Sequence, residues 1–147
     1  MNIVLFGPPG AGKGTQSKYL VKKLNAFQIS TGDILREEMK KKSEIGKVIT
    51  DDMRSGKFIS DDIVNNLIEN LVFDPQKKGK FIFDGYPRTL SQAKNLNLLL
   101  KNSNQNIDLI LFLNVGKDII LKRIEKRKTI ENRSDDDSDT IVKRYEK

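Results

Sequence analysis

Short apolar runs and longer stretches with helical spacing take turns along this chain. NIVLF, residues 2–6, is apolar and ends at a glycine, which reads as a buried parallel strand. From Lys13 the period changes. Leu20 and Leu24 lie four apart among lysines, as on an amphipathic helix. A second short strand is expected near 27–29. Residues 33–73 read as helical, with Ile45, Val48, Ile49 and Met53 sharing one face and Ile63, Val64, Leu67, Ile68 and Leu71 another. SGKF, 55–58, interrupts that stretch, and Ser60 with Asp61 and Asp62 suits the start of the next helix. FIFDG, 81–85, predicts a third buried strand, followed by a helix striped by Leu96 and Leu100. LILFLNV, 109–115, predicts a fourth, and KDIILKRIEKRK a basic helix. RKTIENRSDDDSD reads as a charged loop, and the final TIVKRYEK as helical.

Strands alternating with helices predict an α/β fold with a parallel sheet. No internal repeat, linker or low-complexity segment is visible. The helical stretch between the second and third strands is a long insertion, a place where substrate contacts tend to concentrate.

Composition narrows the chemistry. At 147 residues, 37% hydrophobic and 32% charged, the chain is expected to form one soluble globular domain. No apolar run is long enough to span a bilayer, so no membrane partner is expected. MNIVLFG lacks the basic region and cleavage site of a signal peptide. With no cysteine there is no disulfide framework and no thiolate metal site. A cytoplasmic location fits these features. The chain also has no histidine, which excludes a Ser-His-Asp triad, a histidine-ligated metal and the commonest general base. Phosphoryl transfer tolerates that lack best, because it asks for positioning and charge neutralisation. The net charge of +7 sets 20 Lys and 7 Arg against 20 Asp and Glu. The lysines are scattered and no RNA-binding aromatic motif accompanies them, so a solvated surface is expected and no nucleic-acid partner.

GPPGAGKGT, 7–15, carries the most specific signal. A Walker A loop reads G-x-x-x-x-G-K followed by Ser or Thr. Gly7, Gly12 and Lys13 fit, but Gly14 comes next and Thr15 is one step late. The strand before and the helix after are the context a phosphate loop requires. Such a loop turns backbone N–H groups toward one anion, and the helix adds its N-terminal partial charge. Gly10, Gly12 and Gly14 would let the backbone close around the phosphates, with Lys13 reaching the β and γ positions.

The G-K-G-T form resembles the phosphate loop of the nucleoside monophosphate kinases. STGDILR at 30–36, FDGYPRTLSQA at 83–93 and the arginine-spaced tail at 123–144 resemble motifs of adenylate kinase, in order along the whole chain. The resemblance implies a single P-loop kinase domain over 1–147, an AMP-binding region at 30–59 and a short lid at about 127–137. It implies ATP + AMP ⇌ 2 ADP with Mg²⁺, these nucleotides as partners, and a monomer.

Two phosphate chains that must approach one another repel, and arginine offsets this with planar bidentate contacts. Arg36, Arg88, Arg123, Arg127, Arg133 and Arg144, all the arginines but Arg54, match the family's nucleotide-contacting positions. By resemblance Arg36 and Arg88 hold the AMP phosphate, Arg123 lies against the ATP adenine and Arg127 contacts ATP phosphates. Arg133 and Arg144 bridge the transferring group, in reach of both nucleotides. Lys13, Arg88, Arg127, Arg133 and Arg144 form the implied catalytic set. Gly10, Ala11, Gly12, Lys13, Gly14, Thr15, Arg123 and Arg127 are the implied ATP contacts. The segment Gly85, Tyr86, Pro87 and Arg88, with Lys57, Phe58 and Ile59, joins the implied AMP contacts. Asp84, after an apolar strand, is expected to support Mg²⁺, mostly through water. The Asp135, Asp136 and Asp137 run reads as a lid hinge and helix start.

Gln92 can donate and accept with one amide, which suits an adenine edge. Thr31 also resembles the adenylate kinase position, so AMP is the expected acceptor, with a UMP/CMP kinase as the alternative. Only KTIEN separates Arg127 from Arg133, which resembles the short-lid form and excludes a lid zinc site. The family continues beyond the position of Lys147, so a truncated chain, and with it a nucleotide-binding fragment without turnover, is a further expectation.

Overall fold

The computed structural model describes residues 1–41, 43–54, 59–77 and 79–131. Their order is β1 (Ile3–Phe6), α1 (Lys13–Leu24), β2 (Phe27–Ser30), α2 (Thr31–Lys40), α3 (Glu44–Arg54), α4 (Asp61–Val72), β3 (Phe81–Asp84), α5 (Leu90–Asn102), β4 (Leu109–Phe112) and α6 (Lys117–Glu131), with a 3₁₀ turn at Pro75–Lys77. The strands form one parallel sheet in the order β2-β3-β1-β4, the α/β architecture the pattern predicts.

Alternation along each strand divides the core. Ile3, Leu5 and Ile82 face Leu20, Val21 and Leu24 of α1. Val4, Ile29, Phe81 and Phe83 face the other way and join Leu35 of α2, Val64 and Ile68 of α4, and Leu96 and Leu100 of α5. Both faces of β1 and β3 are therefore covered by helices, which is why these strands read as continuous apolar runs.

Three expectations change. The predicted stripe on α3 is only narrowly buried: Ile49 is fully covered, whereas Ile45 and Val48 are about half exposed. A Cβ at Gly46 would lie 2.5 Å from the Glu38 carbonyl oxygen. α3 thus crosses α2 backbone to backbone at a glycine, and that close approach leaves the flanks of the stripe in water. β4 is shorter than the 109–115 run and lies at the edge of the described sheet, with Leu109, Ile110 and Phe112 exposed. α6 continues to Glu131, so residues 127–131 are helical where a loop is expected. That segment contains neither Gly nor Pro to stop the helix.

Asn2 ties the central strands together. Its amide donates to Gln105 Oε1 at 3.0 Å and to the Asn106 carbonyl at 2.9 Å, and its Oδ1 accepts from the Phe81 N–H at 3.1 Å. Asn2→Ala would leave the buried Phe81 N–H without this partner. It is expected to cost about 2–3 kcal/mol of stability, measured by urea unfolding; a loss below about 0.5 kcal/mol would contradict this role.

Candidate active site

The chain runs from β1 to β2 toward one edge of the sheet and from β3 to β4 toward the other. The switch point therefore lies between β1 and β3, and ligand clefts in open α/β sheets form at the carboxyl ends of such strands. The glycine-rich loop follows β1 and Asp84 ends β3.

Gly10 has φ +78°, and a Cβ there would stand 2.9 Å from Ile124 Cγ1. Backbone conformation and the proximity of α6 both demand glycine. Gly12 caps α1 in the left-handed region without a side-chain cap. That leaves the helix N-terminus suited to an external anion. Lys13 Nζ donates to the Gly7 carbonyl at 2.7 Å and the Pro8 carbonyl at 3.0 Å. Burial lowers the Lys13 pKa, the charge of Asp84 opposes this, and Arg88 and Arg127 add to the lowering. Asp84 is pushed above the usual carboxylate range by burial, against the pull of Lys13; Asp33 adds to the rise, while Arg88 and a hydrogen bond from Gln28 oppose it. A Cβ at Gly14 would come 3.6 Å from Asp84 Oδ2, so the carboxylate lies against the first turn of α1. The structure thus brings Asp84, Arg88 and Arg127 into electrostatic range of Lys13. Arg123 reaches the same loop, its Nη1 donating to the Ala11 carbonyl at 3.1 Å and the Gly10 carbonyl at 3.4 Å. Thr15 is exposed in the first turn of α1.

On the other side of the switch, Thr31 is buried and donates from Oγ1 to the Gly85 carbonyl at 2.9 Å. Gly85 has φ +79°, and a Cβ there would meet Thr31 Oγ1 at 2.8 Å and Arg88 Nη2 at 3.0 Å. Arg88 Nε donates to the same carbonyl at 2.8 Å. Arg36 pairs with Asp33 at 2.6 Å. Tyr86 and Pro87 are buried; the Tyr86 hydroxyl donates to Asn65 Oδ1 at 2.7 Å and accepts from Asn95 at 3.2 Å. Burial raises the pKa of that phenol. Tyr86 therefore anchors the turn after β3 to both α4 and α5. Ile59 lies in the main core. Gln92 is 4% exposed, with its Oε1 accepting from the Arg88 N–H and its Nε2 donating to Asp61 Oδ1, both at 2.7 Å.

Lys57, Phe58, Arg133, Arg144 and the Asp135–Asp137 run lie outside the described residues. Two carboxylates absent from the expectations join the site. Asp33 was signalled by its i,i+3 spacing to Arg36; Asp61 meets residues about thirty positions away, with no local signal. Among the described residues no group of three acidic, His or Cys side chains is placed to hold a metal. Asp84, with Asp33 in electrostatic range, fits instead a cation held by few carboxylates and otherwise by water and phosphate oxygens.

A model of the adenylate kinase family matches residues 5–147. The chain is 53% identical over 131 residues to an adenylate kinase of Pelagibacter ubique, covering 89% of this chain and 62% of that protein. It is 40% identical over 147 residues to one of Parabacteroides distasonis, covering 99% of this chain and 77% of that protein. It is 44% identical over 146 residues to one of Maricaulis maris, covering 99% of this chain and 78% of that protein. The chain thus spans about three fifths to three quarters of the length of these relatives.

The raised pKa of Asp84 has a definite sign. Folding favours its protonated form, so the charged carboxylate costs stability at neutral pH, and that cost fades as pH falls through the folded pKa. Asp84→Asn is expected to melt higher than the wild type at pH 7 without ligand, with the gap closing toward acid pH. A lower melting temperature for the variant at pH 7 would refute this.

Proposed function

We propose that this chain, which belongs to the adenylate kinase family, catalyses ATP + AMP ⇌ 2 ADP by direct in-line phosphoryl transfer. The carrying observation is Lys13 folded over a glycine loop whose helix N-terminus has no side-chain cap, at the switch point, with Asp84, Arg88 and Arg127 in electrostatic range of it. A phosphate oxygen of AMP attacks the γ-phosphorus of ATP, and the bond from that phosphorus to the β,γ-bridging oxygen breaks. ADP leaves and no covalent enzyme intermediate forms.

Each residue acts by position and charge. Gly10 to Thr15 hold the ATP phosphates, and Lys13 exchanges its loop carbonyls for phosphate oxygens. Arg123 lies against the adenine of ATP, and Arg127 approaches its phosphates. Thr31, Arg36 and the turn from Gly85 to Arg88 hold AMP, with Gln92 on the base. Lys57, Phe58 and Ile59 lie along AMP, and Arg133 and Arg144 bridge the transferring group. Mg²⁺, supported at Asp84, supplies neutralisation of phosphate charge when bound. The region 30–59 closes on AMP and the segment around 127–137 on ATP, within one domain over 1–147, which excludes water. The reading places a monomer in the cytoplasm, with nucleotides as its partners.

ADP formation from ATP and Mg²⁺, with AMP, UMP, CMP and GMP offered separately, tests this. Turnover is expected with AMP; turnover with UMP or CMP instead would overturn the reading of Thr31 and Gln92. Lys13→Met is expected to lower turnover by at least ~100-fold, with the fold retained by circular dichroism. Near-normal turnover in that variant would refute the role of the loop.

A further inference from the structure

Gln92 is the residue assigned to the acceptor base, yet an amide can present its donor and acceptor ends either way round. Nearly full burial makes a mismatch at either end costly. Its Oε1 faces the backbone N–H of Arg88, which can only donate. Its Nε2 faces Asp61 Oδ1, a carboxylate oxygen that accepts. Turning the amide over would set oxygen against oxygen and N–H against N–H. Two bonds use one donor and one acceptor site of the amide, which leaves one N–H and one lone pair for a ligand.

Asp61 is itself held in place. It is the first residue of α4, behind the Ser60 cap. Its second oxygen, Oδ2, accepts from the Thr89 hydroxyl at 2.7 Å, and Thr89 Oγ1 in turn accepts from the Gln92 N–H at 3.1 Å as the cap of α5. The carboxylate thus joins the N-termini of two helices and is aimed at one end of one amide.

We infer that Asp61 is a specificity-determining positioning residue: it fixes the polarity of the Gln92 amide and so makes the site accept a 6-amino purine and refuse a 6-oxo purine. The inference rests on the reading of Gln92 as the base contact. Adenine offers a ring acceptor at N1 beside an amino donor. Hypoxanthine has the same shape but offers a ring donor beside an oxo acceptor, and pairing with it requires the amide orientation that Asp61 forbids. Asn at position 61 carries one acceptor and one donor end, so it can turn together with Gln92. The Arg88 N–H then holds the polarity alone.

Binding calorimetry with AMP and inosine monophosphate on the full chain tests this without requiring turnover. The wild type is expected to prefer AMP. Asp61→Asn should lower the AMP-to-IMP preference about tenfold while leaving the melting temperature close to that of the wild type. Asp61→Ala, which frees the Nε2 end, should lower it as well. In a Gln92→Ala background Asp61→Asn should change the ratio no further. An unchanged ratio in both Asp61 variants, or an undiminished effect in the Gln92→Ala background, would overturn the role of Asp61. If the wild type does not discriminate, or Gln92→Ala leaves the ratio intact, the base-contact reading falls and the inference with it. A ratio that collapses in Gln92→Ala but survives in the Asp61 variants sinks the inference alone.

Discussion

Lys13 and Asp84 are held partly out of water at the carboxyl ends of β1 and β3, and burial penalises the charge of both. Each is the other's main electrostatic support. The arrangement around them follows from that shared cost. Glycines bring the loop within reach of α6 and of the carboxylate, and two apolar strands, covered on both faces, fix the distance between the partners. A pair that is costly to hold empty is suited to a ligand that brings charge of both signs, such as a metal-bound polyphosphate.

The cations of the site share a second feature. Lys13 donates to Gly7 and Pro8 and Arg123 to Gly10 and Ala11, in each case to main-chain carbonyl oxygens; Arg88 donates to the Gly85 carbonyl among its contacts. These neutral acceptors orient the side chains, and an anion adds a Coulombic attraction between full charges that a carbonyl does not offer. An anion entering the cleft therefore competes favourably for groups already gathered there. Arg36 differs, because its partner Asp33 is itself charged.

Much of this was legible in the sequence where the constraint is local. Gly10 and Gly12 were placed by loop spacing, and the buried strands by short apolar runs. Gln92 was legible as an amide suited to a base, but its fixed orientation was not. The groups that fix it are Asp61, on another helix, and a backbone N–H. The exposed flanks of α3 escaped for a related reason. Ile45 and Val48 have helical spacing, but the close crossing at Gly46, which decides what is covered, involves the backbone of α2. The helical residues 127–131 were hidden by their charge, which suggests a loop although no residue there stops a helix.

Asn2 gives the sheet a particular relation to chain connectivity. Its side chain bonds across 79 residues to β3, and its backbone N–H across 106 to Asp108. β1 is central to the described sheet, and both its strand partners, β3 and β4, are distant in sequence. Closing loops of that length costs chain entropy before any pairing returns it. The strand that leads into the glycine-rich loop completes its hydrogen-bond ladders only when distant parts of the chain arrive. The geometry of the glycine-rich loop and the assembly of the described sheet are therefore linked in folding.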